Sequence, residues 1–503
     1  MNFQPRTFRS LRIALLADRD SPLMWQVELA ERLRAAGHDV GIAFAPPVIS
    51  KPVALLQGIE QRLYRLGPGR ASSIADAQAL AAFPKLQGDP DLVIDPSGCG
   101  AVPAENRMTL ACDGAAGEAA AFASLLRGRP PVLTVDLLTR DGMRRRIGQA
   151  TPGLEEPHIF SRSFDRVCER VSDLLFNCIR DFAAGLASGE AVAESATAPQ
   201  PGMASALAFA AGSFADRMGR RVLRPLAVDE HWRLGWRMVS GDGVAETLSL
   251  PVGPYNFLDD DRKRFFADPF VLWRDGVAHV LCEEFPYETR KGVISHFTID
   301  PQGRASTPCV VLERPCHLSY PFVFERDGAI FMIPETSANG TVELYRADPF
   351  PDVWKLERIL IEGVKFGDAT LLERDGLFWL FGTITDGRRS TWDALGIFFA
   401  EKLEGPWRAH PANPVLIDAG SARPAGAFFE NGGVLYRPAQ DCRDGYGAKL
   451  AICRVDLLDT ERYAQTIMHR FEPPAGWGGK AFHTLNRSGP VEVVDTKGWL
   501  RKV

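Results

Sequence analysis

The chain lacks every short signature of a metal, redox or dinucleotide site. Its nine cysteines, at 99, 112, 168, 178, 282, 309, 316, 442 and 453, form no CxxC pair and no Cys/His ligand spacing. An odd count with no framework fits the reduced thiols of a cytoplasmic protein, not a disulfide scaffold. GxGxxG is missing, so a nicotinamide or flavin reading has no fingerprint to stand on. There is no basic stripe, and the net charge is −5, which leaves no electrostatic case for nucleic acid. No stretch approaches the roughly 20 apolar residues of a membrane span. The first apolar run, Ile13 to Ala17, is too short for a signal-peptide core and stops at Asp18. These absences predict no metal, no cofactor and a cytoplasmic location. What is present is ordinary for a globular protein, 46% hydrophobic and 24% charged, and 503 residues suggest two or three domains.

The informative stretch is Ala267 to Phe285, ADPFVLWRDGVAHVLCEEF. Two apolar arms flank Asp275-Gly276, and an Asp-Gly pair in that setting is a strong hairpin signal, because a type I′ turn needs positive φ at both central residues. A turn centred there sets Asp268 opposite Glu283. SYPFVFERDGAIFMIPETS repeats the pattern around Asp327-Gly328 and sets Tyr320 opposite Glu335. GDATLLERDGLFWLFGTIT repeats it around Asp375-Gly376 and sets Asp368 opposite Thr383. A looser copy, ARPAGAFFENGGVLYRPAQD, turns near Asn431-Gly432 and brings Arg423 close to Gln440. The openings at 268, 320, 368 and 423 recur about every 50 residues, a period that belongs to propeller-like arrays of small antiparallel sheets. A weaker fifth repeat follows Trp477 and offers His483. HWRLGWRMV, 231 to 239, reads as a strand that completes the last blade and closes the ring. Polar residues recur at the open ends, which in a propeller converge on one funnel.

The N-terminal part reads differently. LRIALLA, Asp39 to Ala45, DLVID and Pro131 to Leu138 are short buried strands. Trp25, Leu29 and Leu33 mark a helix, with Ser21 as candidate cap and Gly37 as its end. Ser172 to Leu186 is an amphipathic helix. Residues 188 to 212 are rich in Ala, Ser, Gly and Pro. The predicted organisation is an α/β domain over 1–190, a linker over 191–224 and an all-β five-bladed propeller over 225–503.

LRIALLADRDSPLMWQVELAERL, DLVIDPSG and GEAAAFASLLRGRPPVLTVDLL resemble the formyltransferase-like domain. Active members of that family use an Asn and a nearby His in an HxSLLP-type loop. Here Asn106 is present, but no His lies between His38 and His158, so the resemblance implies an inactive domain. The C-terminal part resembles the propeller of glycoside hydrolase family 43, and more closely the propeller-like domain of plant glucosamine inositolphosphorylceramide transferases. ADPFV, the PETS turn, GDATLLERDG, and YRPAQDC followed by DGYG carry that resemblance, and the GPW turn before an Asn-Pro segment at 405–414 agrees with it.

The family 43 resemblance implies a base at Asp268 and a pKa-tuning acid at Asp368. The family's general acid, a Glu before a Gly-Pro or Ala-Pro pair, has no counterpart, for SARP places Ala422 there. An inverting glycosidase needs that acid to protonate the leaving oxygen. Glu335 can supply it from blade two. Alternatively the leaving group needs no proton, as with a nucleotide diphosphate gripped by Arg423, and Asp268 activates an acceptor hydroxyl; Arg423 equally suits a salt bridge to Asp268 or Asp368 that only neutralises the funnel. Glu283, Glu284, Tyr320, Gln440, Asp441 and His483 are the further candidates for binding substrate. Trp392 and Trp407 are candidates for stacking on a sugar, while Asp327 and Asp375 belong to turns. The sequence therefore points to glycosyl transfer in surface polysaccharide or glycolipid biosynthesis, with a sugar or nucleotide sugar as partner and peripheral contact with a lipid-linked acceptor. A hydrolase using Asp268 and Glu335, or a non-catalytic sugar-binding module, are the alternatives.

Overall fold

The structure is a computed structural model that describes residues 9–45, 51–67, 70–98, 104–197, 201–223, 227–250, 253–259, 261–387 and 389–501. It divides into two compact units, 1–219 and 220–503. The eight described cysteines are all free thiols; Cys99 lies outside the described residues.

In the first unit the apolar runs become buried strands. β1 (Arg12–Asp18) pairs parallel with β2 (Asp39–Ala45) and β3 (Leu92–Asp95), and β3 pairs parallel with β4 (Arg107–Cys112). β5 (Leu133–Leu138) and β6 (Arg144–Ala150) extend the sheet antiparallel, giving the order β2-β1-β3-β4-β5-β6. Helix α1 (Met24–Ala35) buries Trp25, Leu29 and Leu33. Ser21 does not cap it: its N–H donates to Asp18, and Leu23 holds the cap position. Helix α2 (Lys51–Tyr64) follows. Helix α3 (Phe160–Ala183) begins earlier than its apolar periodicity indicates, because the buried Glu60 carboxylate accepts the N–H groups of Phe160 and Ser161 and so caps it. Part of the stretch expected to be a linker is helix α4 (Met203–Leu223), since alanine-rich sequence suits a helix as well as a tether.

The second unit is a five-bladed β-propeller with five sheets. Blade one runs from Arg264–Arg274 to Cys309–Leu312, and blade two from Ser319–Arg326 to Trp354–Glu362. Blade three opens with Lys365–Arg374, and blade four ends with Tyr463–Phe471. Blade five closes the ring: Leu485–Ser488 and Val491–Arg501 come from the end of the chain, and Ala227–Met238 joins them from far earlier in the sequence, pairing Met238 with Val491 and Ala227 with Arg501. This is the closure the sequence anticipated.

The hairpin turns are also as expected, with positive φ at Asp275-Gly276, Asp327-Gly328 and Asp375-Gly376. In blade four the two turn residues are Gly432-Gly433. The pairing at the open ends is not as expected. Ala267, not Asp268, faces Glu283; Ser319 faces Glu335; Gly367 faces Thr383. Each ladder resumes only after a bulge, at Phe270, Phe322 and Thr370. The bulged residues Asp268, Tyr320 and Asp368 all have positive φ, +51°, +44° and +55°. A bulge of this kind bends the strand and re-aims one side chain, and the same strained position recurs in three blades. Arg423 does sit beside Gln440, whose N–H donates to its carbonyl at 2.8 Å.

Closure places Leu234 in a core shared by blades five and one, with Val491, Val493 and Val280. Leu234→Ala should therefore cost about 2–5 kcal/mol, read as a lower urea midpoint for the propeller, and a variant with unchanged stability would contradict this closure.

Candidate functional site

Two clusters of buried polar side chains form at the bulged ends of the blades. The first belongs to blades one and five. Asp268 Oδ1 accepts the Thr484 hydroxyl at 3.1 Å and lies 3.6 Å from His483 Nε2. His483 Nδ1 is 2.7 Å from Asp495 Oδ2. The Asp268 N–H donates to the same Asp495 oxygen, and the N–H groups of His483 and Thr484 donate to the other. The imidazole stacks on Trp232, with ring centroids 3.8 Å apart. Gly447, in the DGYG stretch, has φ +59°, and a Cβ there would meet His483 Cβ at 2.7 Å and the ring atom Cδ2 at 2.9 Å. The glycine is thus needed both for its turn and for the close approach of the ring.

Asp268, His483 and Asp495 bring three potential ligand atoms within 4.8 Å of one another, a grouping the sequence did not show. Asp495 accepts two backbone N–H groups on Oδ1 and one on Oδ2, and His483 Nδ1 lies against Oδ2 at 2.7 Å. Its lone pairs are engaged, so the arrangement suits a relay that orients His483 toward Asp268 better than a cation cage. Burial pushes the Asp268 carboxyl up, and Asp495 adds to the rise, while His483 and Arg423 oppose it.

The second cluster joins blades two, three and four. Arg423 Nη2 donates to Asp368 Oδ1 at 2.9 Å, and Nε lies 2.7 Å from Oδ2, out of line for a hydrogen bond. Gln440 Nε2 donates to Asp368 Oδ2 at 3.0 Å. Glu335 accepts the Asp368 N–H at 3.0 Å and the Ser337 hydroxyl at 2.7 Å, with Arg423 Nη2 at 3.6 Å. Burial disfavours the Glu335 charge, but Arg423 and these hydrogen bonds outweigh it and hold its pKa below the ordinary carboxylate range. Burial likewise disfavours the Arg423 charge, and Asp368 more than restores it. A Cβ on Gly367 would meet Thr383 Oγ1 at 2.7 Å, which accounts for the glycine of GDA. Beside this cluster opens a cavity of about 450 Å³, lined among others by Glu335, Lys365, Thr383, Arg389, Arg423 and Tyr446.

Burial also pushes the Asp368 carboxyl well above its ordinary range, with Glu335 and Asp268 adding to the rise and Arg423 opposing it, and Glu283 behaves in the same way. Burial raises its pKa well above the ordinary range, and the charges of Asp268 and Glu335 raise it further. His317 Nε2 lies 3.3 Å from Glu283 Oε1, and its Nδ1 accepts the Gly292 N–H. Burial keeps that imidazole neutral by lowering its pKa, so its single proton is on Nε2, facing the carboxyl.

Other expected residues lie elsewhere. Successive strand residues point to opposite faces, so Glu283 and Glu284 cannot share a site. Glu284 is engaged by Arg264 and the Ser295 hydroxyl. Gln440 and Asp441 divide in the same way, with Asp441 held by Arg443 and Arg470. Tyr320 is a strut in the core, bonded to Thr370 and to the Gly426 N–H. Trp407 is also packing, and Trp392 lies against Tyr446. Ala422 is fully buried, and its carbonyl accepts from Arg437, so no acid stands there. Sequence reading missed Asp495, Thr484, Trp232, Tyr446, Lys365 and Arg389. The DGYG stretch was a signal for Tyr446, and HWRLGW for Trp232.

The site thus belongs to a five-bladed propeller with a carboxyl-rich, arginine-neutralised centre. Residues 259–490 match the family described as "Glucosamine inositolphosphorylceramide transferase 1, N-terminal". The chain is similar to the glucosamine inositolphosphorylceramide transferase 1 of Oryza sativa subsp. japonica, 31% identical over 245 residues, covering 47% of this chain and 32% of that protein. It is 32% identical to the Arabidopsis thaliana protein of the same name over 205 residues, 40% of this chain and 27% of that one. It therefore spans about a third of the length of these curated relatives. Among solved structures, a family 117 glycoside hydrolase of Zobellia galactanivorans is similar at 13% identity and TM-score 0.34, over 48% of this chain and 76% of that one. An exo-β-1,3-galactanase of Clostridium thermocellum gives 12% and 0.32, over 41% and 50%.

The Glu283 environment makes a pH-dependent prediction. A raised carboxyl pKa stabilises the fold below the unfolded value and loses that contribution as pH rises toward the folded one. Glu283→Gln should match wild type in acid and become progressively more stable than wild type from about pH 4 upward, as read by thermal melts across pH. A difference independent of pH would contradict the assignment.

Proposed function

We propose that this chain is carbohydrate-active and works in glycosyl transfer, in the making of a glycolipid or surface polysaccharide, with its reacting centre in the propeller funnel at Asp268. The similarity over residues 259–490 to the family described as glucosamine inositolphosphorylceramide transferase 1, N-terminal, supports the class. The observation that carries the chemistry is the Arg423 ion pair with Asp368, in the segment where a hydrolase of this shape would hold its acid. Glu335, the other acid candidate, is held as the anion by the same arginine. A donor whose leaving group departs without a proton fits this arrangement.

In that reaction Asp268 takes the proton of the acceptor hydroxyl. The hydroxyl oxygen forms a bond to the anomeric carbon of the donor. The bond from that carbon to the phosphate oxygen breaks, and its electron pair leaves on the phosphate. His483, oriented by Asp495, then relieves Asp268 of the proton. Arg423 acts as counter-ion to Asp368 and Glu335, and Lys365 and Arg389 on the cavity wall face the diphosphate. The α/β unit serves as a scaffold without formyl transfer: the Asn106 amide is engaged by the Asp91 carbonyl, and no histidine stands near it in sequence.

A second reading is favoured by Glu283, a protonated carboxyl beside Asp268. With Asp268 activating water and Glu283 donating its proton, the funnel would hydrolyse a glycoside, and Glu335 would have no acid role.

A general base contributes about a hundredfold or more to rate. Asp268→Asn should lower sugar transfer from a nucleotide sugar to a lipid acceptor by at least about that factor while leaving donor binding intact by calorimetry. Equal turnover in the variant would overturn the proposal. Donor-independent release of free sugar from a glycoside, lost in Glu283→Gln, would establish the hydrolase instead.

A further inference from the structure

Helix α2 and the part of α4 that lies in the first unit, 203–219, carry exposed apolar side chains. On α2, Leu55, Ile59 and Leu63 recur every four residues, and each is about half exposed. On α4 the buried positions are Ala206 and Ser213, with Phe209 against Phe160 and the Ser213 hydroxyl bonded to the His158 carbonyl. Beside that anchoring stripe runs another, Leu207, Phe214 and Met218, of which Leu207 is 58% and Phe214 61% exposed. Both helices anchor at the start of α3, α2 through Glu60 and α4 through Phe209. They touch where Arg217 lies over the Tyr64 ring, 5.2 Å away.

The exposed charges on these helices are mostly positive. Lys51 is four residues before Leu55, and Arg62 two turns after it, so both border the apolar stripe. Arg217 borders the stripe of α4, three residues after Phe214. The acidic residues of the two helices are Glu60, buried as the cap of α3, and Asp216. The whole chain is net negative, which makes this local excess of cations the more distinct.

We infer that this face docks on a membrane surface bearing anionic lipids, with α2 and α4 lying in the plane of the interface. Exposed leucine, isoleucine and phenylalanine beside lysine and arginine is the composition of an interfacial helix, whose apolar side enters about 5–10 Å into the headgroup region. No described helix is long and apolar enough to cross a membrane, so this is contact with a surface, not a span. A second copy of the chain fits less well, because a two-fold interface sets the patch against itself and would oppose cation to cation. The inference is independent of the funnel chemistry and needs no turnover to test.

The test is flotation of the full chain with vesicles of phosphatidylcholine alone or with about one third phosphatidylserine. The protein should bind the anionic vesicles at least about tenfold more tightly, and added salt should weaken this. Leu207→Asp with Phe214→Asp should lose binding at an unchanged melting temperature, since both side chains are exposed. Arg62→Glu with Arg217→Glu should lose the preference for phosphatidylserine. Failure of wild type to bind either vesicle, or equal binding by the Asp variant, would overturn the inference. So would a concentration-dependent dimer in sedimentation that the Asp variant abolishes, which would assign the face to a second copy.

Discussion

One guanidinium settles the charge of the funnel. Asp268, Glu283, Glu335, Asp368 and Asp495 are brought together out of water, where each unpaired charge would cost several kcal/mol. Arg423 answers two of them directly, Asp368 by contact and Glu335 at 3.6 Å. His483 and backbone amides answer Asp495. Glu283 has no arginine or lysine in contact among the described residues, and burial with the charges of Asp268 and Glu335 raises its pKa well above the ordinary range. Asp268 is left between these solutions, with a hydroxyl and a histidine edge as partners. Burial and Asp495 raise its pKa, and His483 and Arg423 oppose the rise, which is the setting that the proposed role as base requires.

The scaffold exists to hold these groups where a regular strand would not. The bulges at Asp268 and Asp368 turn a side chain inward that simple alternation would place differently. Positive φ at non-glycine residues is costly, of the order of 1–3 kcal/mol each. It persists because the ladders on both sides are fixed by type I′ turns at one end and blade contacts at the other. Tyr320 shows the same device used for structure, its hydroxyl tying blade two to Thr370 and Gly426.

Much of this could be read in the chain. Asp-Gly between apolar arms names its turn by backbone geometry alone, and repetition at near-constant spacing names the propeller. The closing strand at 231–239 was legible from its alternating aromatics. The register of the open ends was not, because counting back from the turn assumes an unbroken ladder. Pro269 and Pro321 carried a warning, since a residue without N–H suits a bulge better than a paired position. Asp495 was hidden for another reason. Its partners are Asp268, His483 and Thr484, and the pairing with Asp268 spans 227 residues through ring closure. No local pattern in VEVVD distinguishes it from a solvated strand acid. The helix at 203–223 was obscured by composition, because alanine and glycine are shared by linkers and helices.

The proposed mechanism rests on a base in the funnel and on a sugar donor whose leaving group departs without a proton. The pH dependence of kcat/KM for sugar transfer tests it most directly. A single ascending limb that levels to a plateau, and that keeps its shape in Glu335→Gln, is the predicted result. A bell-shaped profile whose descending limb disappears when Glu335 or Glu283 is replaced by glutamine would contradict it.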